Sequence, residues 1–280
     1  MKDLEKAFHV GVLGNFAVDE KQNIRNPFPL IEEAPTGLVV TYVPFQDEHH
    51  PILSRFPLSH SKIAIPSIYD NLQVEPEVVL DCEVKYYHNN LLYIIPKRFT
   101  AYNDVTLHRF STSSIVENKN WGRNSKGIAR EWINIDSFDK DGNIANYNIV
   151  SFIKRDGVIE QYSIDTPINK YPYMYEQLLD WIIEEIKRDR ELQSPNSINS
   201  LLKSAKYPNR FLINIGTTQF TAIGEKAFLE EGDEVFVVLY DRKLYRPDSI
   251  KAYLLAYKTR KVHYEGMVIL HQTAYIPETR

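Results

Sequence analysis

Two glutamates one residue apart raise the first question of chemistry. In EPEVVLDCEV, residues 75–84, Glu75 and Glu77 flank a proline at the mouth of a stretch that otherwise reads as a strand. Successive strand side chains point to opposite faces. The two carboxylates therefore emerge on one side about 7 Å apart, with Val78, Leu80, Cys82 and Val84 on the other. Pro76 cannot donate to a ladder, which places the pair at a strand entrance near a cavity rather than mid-sheet. At the effective dielectric of a partly buried site their repulsion is roughly 2 kcal/mol, so a buried pair calls for a cation. The competing reading is the solvated face of a half-buried strand.

A third acid, Asp104, stands at the far end of the strand that follows, within AYNDVTLHRF, where the chain can return it to the pair. Three carboxylates with room for water and a bidentate substrate suit an octahedral Mg²⁺ or Mn²⁺. Downstream, NWGRNSKG (120–127) puts Arg123 and Lys126 in a polar loop, where plain surface solvation is the alternative. NIGTTQF (214–220) ends a strand in a glycine followed by Thr217 and Thr218, offering N–H groups and hydroxyls to an anion, although a plain turn reads the same way. His49 and His50, in DEHHP, are further candidates for a base, or else solvated loop residues.

Composition narrows the class. The 280-residue chain is 43% hydrophobic and 25% charged, as ordinary globular proteins are. A net charge of −4 argues against nucleic acid or an anionic membrane as the main partner. The single cysteine, Cys82, excludes a disulfide within the chain and reads as a buried structural thiol. No run of about 18 apolar residues and no signal-type stretch occurs, so a soluble cytoplasmic protein is expected.

The elements that must position these residues are mostly strands. Eighteen tyrosines, thirteen phenylalanines and many β-branched runs point that way. The HNN of 88–90 reads as a hairpin turn. An apolar stripe of Leu178, Leu179, Ile182, Ile183 and Ile186 predicts a helix from Tyr175 to about Lys187, and a weaker one spans 249–257. Strands with a few helices and no regular βαβ alternation predict an α+β fold.

Taken together, EPE, NDVT, NSKG, GTT and LEEGDEV, in that order across roughly residues 10–240, resemble the fumarylacetoacetate hydrolase superfamily. The resemblance implies a single domain over 1–280, a mixed β-sandwich roll with peripheral helices. A lid would lie in residues 1–65 and an extension in 241–280. It implies Glu75, Glu77 and Asp104 as ligands of Mg²⁺ or Mn²⁺, Lys126 at the substrate enolate, and Thr217 at the substrate carboxylate, with a homodimer usual. Thr218, Arg123 and His108 join as substrate-binding candidates; Thr218 replaces the family's proline and His108 its arginine. Where family members that hydrolyse carbon–carbon bonds carry a histidine and a glutamate that activate water, this chain has Asp19 and Gln22, leaving Asp19 and Glu20 as candidate bases. The expected activity is metal-assisted hydrolysis, decarboxylation or tautomerisation of a small 2-oxo acid or β-diketone; the alternative is a noncatalytic ligand-binding or interaction protein on the same fold.

Overall fold

The structure is a computed structural model and describes residues 1–17, 35–45, 51–67, 70–108, 114–191, 197–256 and 263–278. The chain opens with β1 (Phe8–Leu13), β2 (Gly37–Tyr42), β3 (Leu58–Ser59), β4 (Lys62–Ala64) and β5 (Asn71–Gln73). Then come β6 (Pro76–Tyr87), β7 (Asn90–Asn103), β8 (Thr106–His108), α1 (Ile115–Lys119), β9 (Lys126–Ile128) and β10 (Ile133–Asn134). The second half forms β11 (Tyr147–Arg155), β12 (Val158–Gln161), β13 (Thr166–Pro167), α2 (Tyr175–Glu191) and α3 (Ile198–Ser204). It closes with β14 (Arg210–Thr217), β15 (Glu234–Asp241), α4 (Pro247–Ala256) and β16 (Met267–Tyr275).

These strands build two mixed sheets and a separate two-stranded ribbon of β5 and β8, in line with the strand-rich α+β expectation. One runs β2-β1-β14-β6-β7-β9-β3 with β10 on β7; the other runs β12-β11-β15-β16-β4 with β13 on β11. Leu80 and Phe99 from the first sheet meet Ile149 and Val237 from the second in a shared core. Phe99 and Tyr147 pack edge-on there, ring centroids 5.1 Å apart. The FVVLY run of β15 is apolar on both faces because each is covered. Ile250 and Leu254 of α4 pack on its Val238 and Tyr240 side, away from that core. Residues beyond 240 thus supply both this cover and β16, which lies between β15 and β4.

The long β6–β7 hairpin positions the acids. His88 and Asn89 both have positive φ, 47° and 63°, which closes the hairpin with a two-residue turn matching the strand twist. Cys82 faces Pro96, and the ladder shifts register between Asp81 and Cys82, a bulge where proline has no N–H to give.

Three sequence expectations change. β6 is not half-buried: Glu77, Val79 and Asp81, on its supposedly solvated face, are 3%, 1% and 5% exposed. That face is covered because Val79 packs with Leu4, Leu58, Tyr102 and Leu212 in a second apolar cluster. Helix α2 continues to Glu191, past Lys187, and α4 begins at Pro247 rather than Ser249, a proline being well tolerated in a first helical turn. Cys82 is buried as expected, and burial pushes its thiol well above the usual range.

Candidate functional site

β6 runs between β14 and β7, and its first residues sit in register with the ends of both: Glu77 pairs with Thr217 on one side and Tyr102 on the other. The chain then turns back directly after β7. The Asp104 N–H donates to the Glu75 carbonyl at 2.9 Å, which brings the third carboxylate onto the pair. Asn103 fixes the corner: its side-chain oxygen accepts from the Glu75 N–H at 3.3 Å, and its amide donates to Gln272 at 3.1 Å. One oxygen from each of Glu75, Glu77 and Asp104 lies within 4.8 Å of the others, a spacing that a divalent ion can bridge.

A cation already stands among them, and it belongs to the chain. Lys119 Nζ donates to Glu75 Oε2 at 2.7 Å and to Asp104 Oδ2 at 2.5 Å, with its side chain 6% exposed. The residue ends α1, whose N-terminus is closed by a capping box between Ser114 and Glu117. The next residue anchors it: the buried Asn120 amide donates to the carbonyls of Thr41 at 2.6 Å and Arg55 at 3.1 Å. As folded, an ammonium therefore takes up one oxygen of Glu75 and one of Asp104 that a divalent ion held by these acids could otherwise use.

Lys126 completes the cluster. It opens β9, is wholly buried, and donates to the Val105 carbonyl. Its Nζ lies 3.1 Å from Asp104 Oδ1, close enough for an ion pair though outside hydrogen-bond geometry, and 5.4 Å from the Trp121 ring centroid. Glu77 is held from the far side, its Oε2 accepting from Asn214 Nδ2 at 2.8 Å and from the Gly216 N–H at 3.1 Å.

Burial sets the charge states. It pushes the Glu77 carboxyl well above the usual range, with Asp104's charge adding to the effect. It pulls Lys126 down to about 8, against the attraction of Asp104. Burial also acts to lower Lys119, but the charges of Asp104, Glu75 and Glu77 outweigh it and hold the ammonium above its ordinary value. Three carboxyl groups and two amines are thus gathered in one buried cluster.

The other candidates fall in different places. Thr217 is buried, and its hydroxyl donates to the Pro76 carbonyl at 3.1 Å; the buried Thr218 hydroxyl has no partner among the described residues. Arg123 is exposed in the turn before β9, and no described contact joins it to the cluster. His108 is exposed, with Nε2 3.1 Å from Gln73 Oε1 on the β5–β8 ribbon. In LEEGDEV, Asp233 is clamped by Arg155 at 2.8 and 2.6 Å, a structural role. Asp19, Glu20, Gln22, His49 and His50 lie outside the described residues. Sequence reasoning missed Lys119 and Asn214. The S-x-x-E of Ser114–Glu117 signals a helix start, but nothing in the spacing marks the lysine at its end as buried.

Comparison with known proteins follows from this geometry. Residues 28–274 match the model of a family described as "Family of unknown function (DUF5718)". A search of curated proteins finds no match. Among solved structures, the chain is similar to Cg1458 with inhibitor, at TM-score 0.54 and 16% identity over 97% of this chain and 77% of that one. It is also similar to 2-keto-3-deoxy-D-arabinonate dehydratase complexed with magnesium and 2,5-dioxopentanoate, at TM-score 0.55 and 13% identity over 97% and 74%. A third is maleylpyruvate hydrolase from Sphingobium sp. SYK-6, at TM-score 0.50 and 8% identity over 96% and 71%. At these identities the likeness is one of fold, and the fold is that of the fumarylacetoacetate hydrolase superfamily.

Proposed function

The chain belongs to the DUF5718 family, whose description carries no activity, and from the site itself we propose that the protein is an enzyme acting on a small 2-oxo acid or β-diketone through its enolate. The observation that supports this best is the convergence of Lys119 and Lys126, both buried, on one carboxylate, Asp104. Desolvating an ion costs several kcal/mol, and folding alone does not require five ionisable groups to be gathered at one strand entrance.

In this reading the enolate forms beside Lys126, whose ammonium stabilises the developing oxyanion. Thr217 and the unpaired Thr218 hydroxyl hold the substrate carboxylate. Glu75, with a side chain 15% exposed, marks the open side of the cluster. In decarboxylation, the bond from the 3-carbon to its carboxylate breaks, CO₂ leaves, and the electron pair becomes the enolate that a proton later quenches at carbon. Keto–enol exchange uses the same charge stabilisation. Hydrolysis further needs a base for water, for which Asp19 and Glu20 are the candidates. Mg²⁺ or Mn²⁺ is the ion the three acids would hold if Lys119 left them, as the dehydratase that is similar in fold is complexed with magnesium.

A second reading, a noncatalytic binding protein, is favoured by one feature: Lys119 and Lys126 satisfy the acids internally. Oxaloacetate consumption separates the two. Loss of oxaloacetate faster with purified protein than in the same buffer alone supports the enzyme; equal rates, with oxalate still bound, support the binding protein.

A further inference from the structure

We propose that Lys119 replaces the divalent metal at the Glu75–Glu77–Asp104 triad, so that the site carries a built-in ammonium and excludes Mg²⁺ and Mn²⁺. The geometry is one of direct competition. The ammonium bonds to an oxygen of Glu75 and an oxygen of Asp104, and the three acids bring ligand oxygens within 4.8 Å of one another. A Mg²⁺ ion needs its oxygens at about 2.0–2.1 Å and so must take nearly the same point in space. The third acid is held in place through one oxygen, Glu77 Oε2, which accepts from Asn214 and from the Gly216 backbone.

Charge points the same way. The three carboxylates sum to −3 and the two buried lysines to +2, so a divalent ion added on top would leave a buried excess of +1. The lysine is also held from both sides in sequence, by the capping box that starts its helix and by the hydrogen bonds of Asn120 to Thr41 and Arg55. A tethered cation competes at high effective concentration with one arriving from solution. The inference deepens the proposed function and rests on it for what the ammonium does to a substrate, but the exclusion of metal does not depend on that reading.

The test is Mn²⁺ binding to the EDTA-treated full chain, followed by the electron paramagnetic resonance of the free ion. The wild type should show no site for Mn²⁺ at micromolar concentrations. Lys119→Met should gain one, at least about tenfold tighter than any binding by the wild type, a difference worth about 1.4 kcal/mol. Adding Asp104→Asn to Lys119→Met should remove it. Equal binding by the wild type and Lys119→Met, or a Lys119→Met protein that folds and binds no Mn²⁺, overturns the proposal. Should Lys119→Met fail to fold, anomalous scattering from wild-type crystals soaked in MnCl₂ decides: manganese within the triad overturns the proposal, and its absence with Lys119 in place supports it. Oxalate titrations keep the two readings apart. Oxalate binding that requires Mn²⁺ contradicts the lysine substitution and leaves the proposed function standing; absence of oxalate binding under every condition, with Mn²⁺ excluded only when Lys119 is present, does the reverse.

Discussion

Asp104 is the carboxylate shared by two buried lysines: Lys119 Nζ lies 2.5 Å from its Oδ2, and Lys126 Nζ lies 3.1 Å from its Oδ1. Asp104→Asn would leave both ammonium groups short of a counter-charge. The expected loss is about 3–5 kcal/mol, the usual scale for breaking a buried ion pair from one side. Three acids without the lysines would repel one another, and removing one would then have the opposite sign. Urea unfolding checks it, with Lys119→Met/Asp104→Asn predicted to recover part of the loss. A single variant as stable as wild type would mean that the lysines are not held by this charge.

The strand pattern was readable from composition and alternation, and so was the position of the acids, because E-P-E fixes a strand entrance and N-D a strand end. The burial of the Glu77 face was not readable. Alternation of side chains predicts a face, but Leu4, Leu58 and Leu212, distant in sequence, decide whether that face meets water. Lys119 was hidden for a related reason. A lysine at the end of a short helix reads as an exposed charge until the turn after β7 brings Asp104 beneath it.

Gly216 marks where the site's backbone is tightest. Its φ is +111°, its N–H donates to Glu77, and a Cβ there would come within 2.1 Å of the Asn15 carbonyl oxygen. Gly216→Ala should therefore lower stability by about 1–3 kcal/mol. A melting temperature equal to wild type would show that this strand end relaxes freely.

His9 should make the fold acid-sensitive independently of the site. Buried against Tyr42 and Phe56, it is lowered from 6.5 to about 4, chiefly by burial. A histidine held below its unfolded value contributes stability that is complete above pH 6.5 and is lost as the pH falls through about 4. The difference of 6.5 − 4 = 2.5 units corresponds to about 3 kcal/mol. Denaturant unfolding of wild type and His9→Gln should diverge in slope across this window, the wild type losing more; parallel curves would contradict it.

The central claim is that a small 2-oxo acid is bound at the cluster by Lys126. Calorimetric titration with oxalate, which imitates the enolate of pyruvate, tests it most directly, in EDTA and again in Mg²⁺. The account predicts saturable binding by the wild type and binding weaker by about 1–3 kcal/mol in Lys126→Met, the scale of a lost charge-assisted hydrogen bond. Identical oxalate isotherms for a folded Lys126→Met and the wild type, or no oxalate binding by the wild type in either buffer, would contradict it.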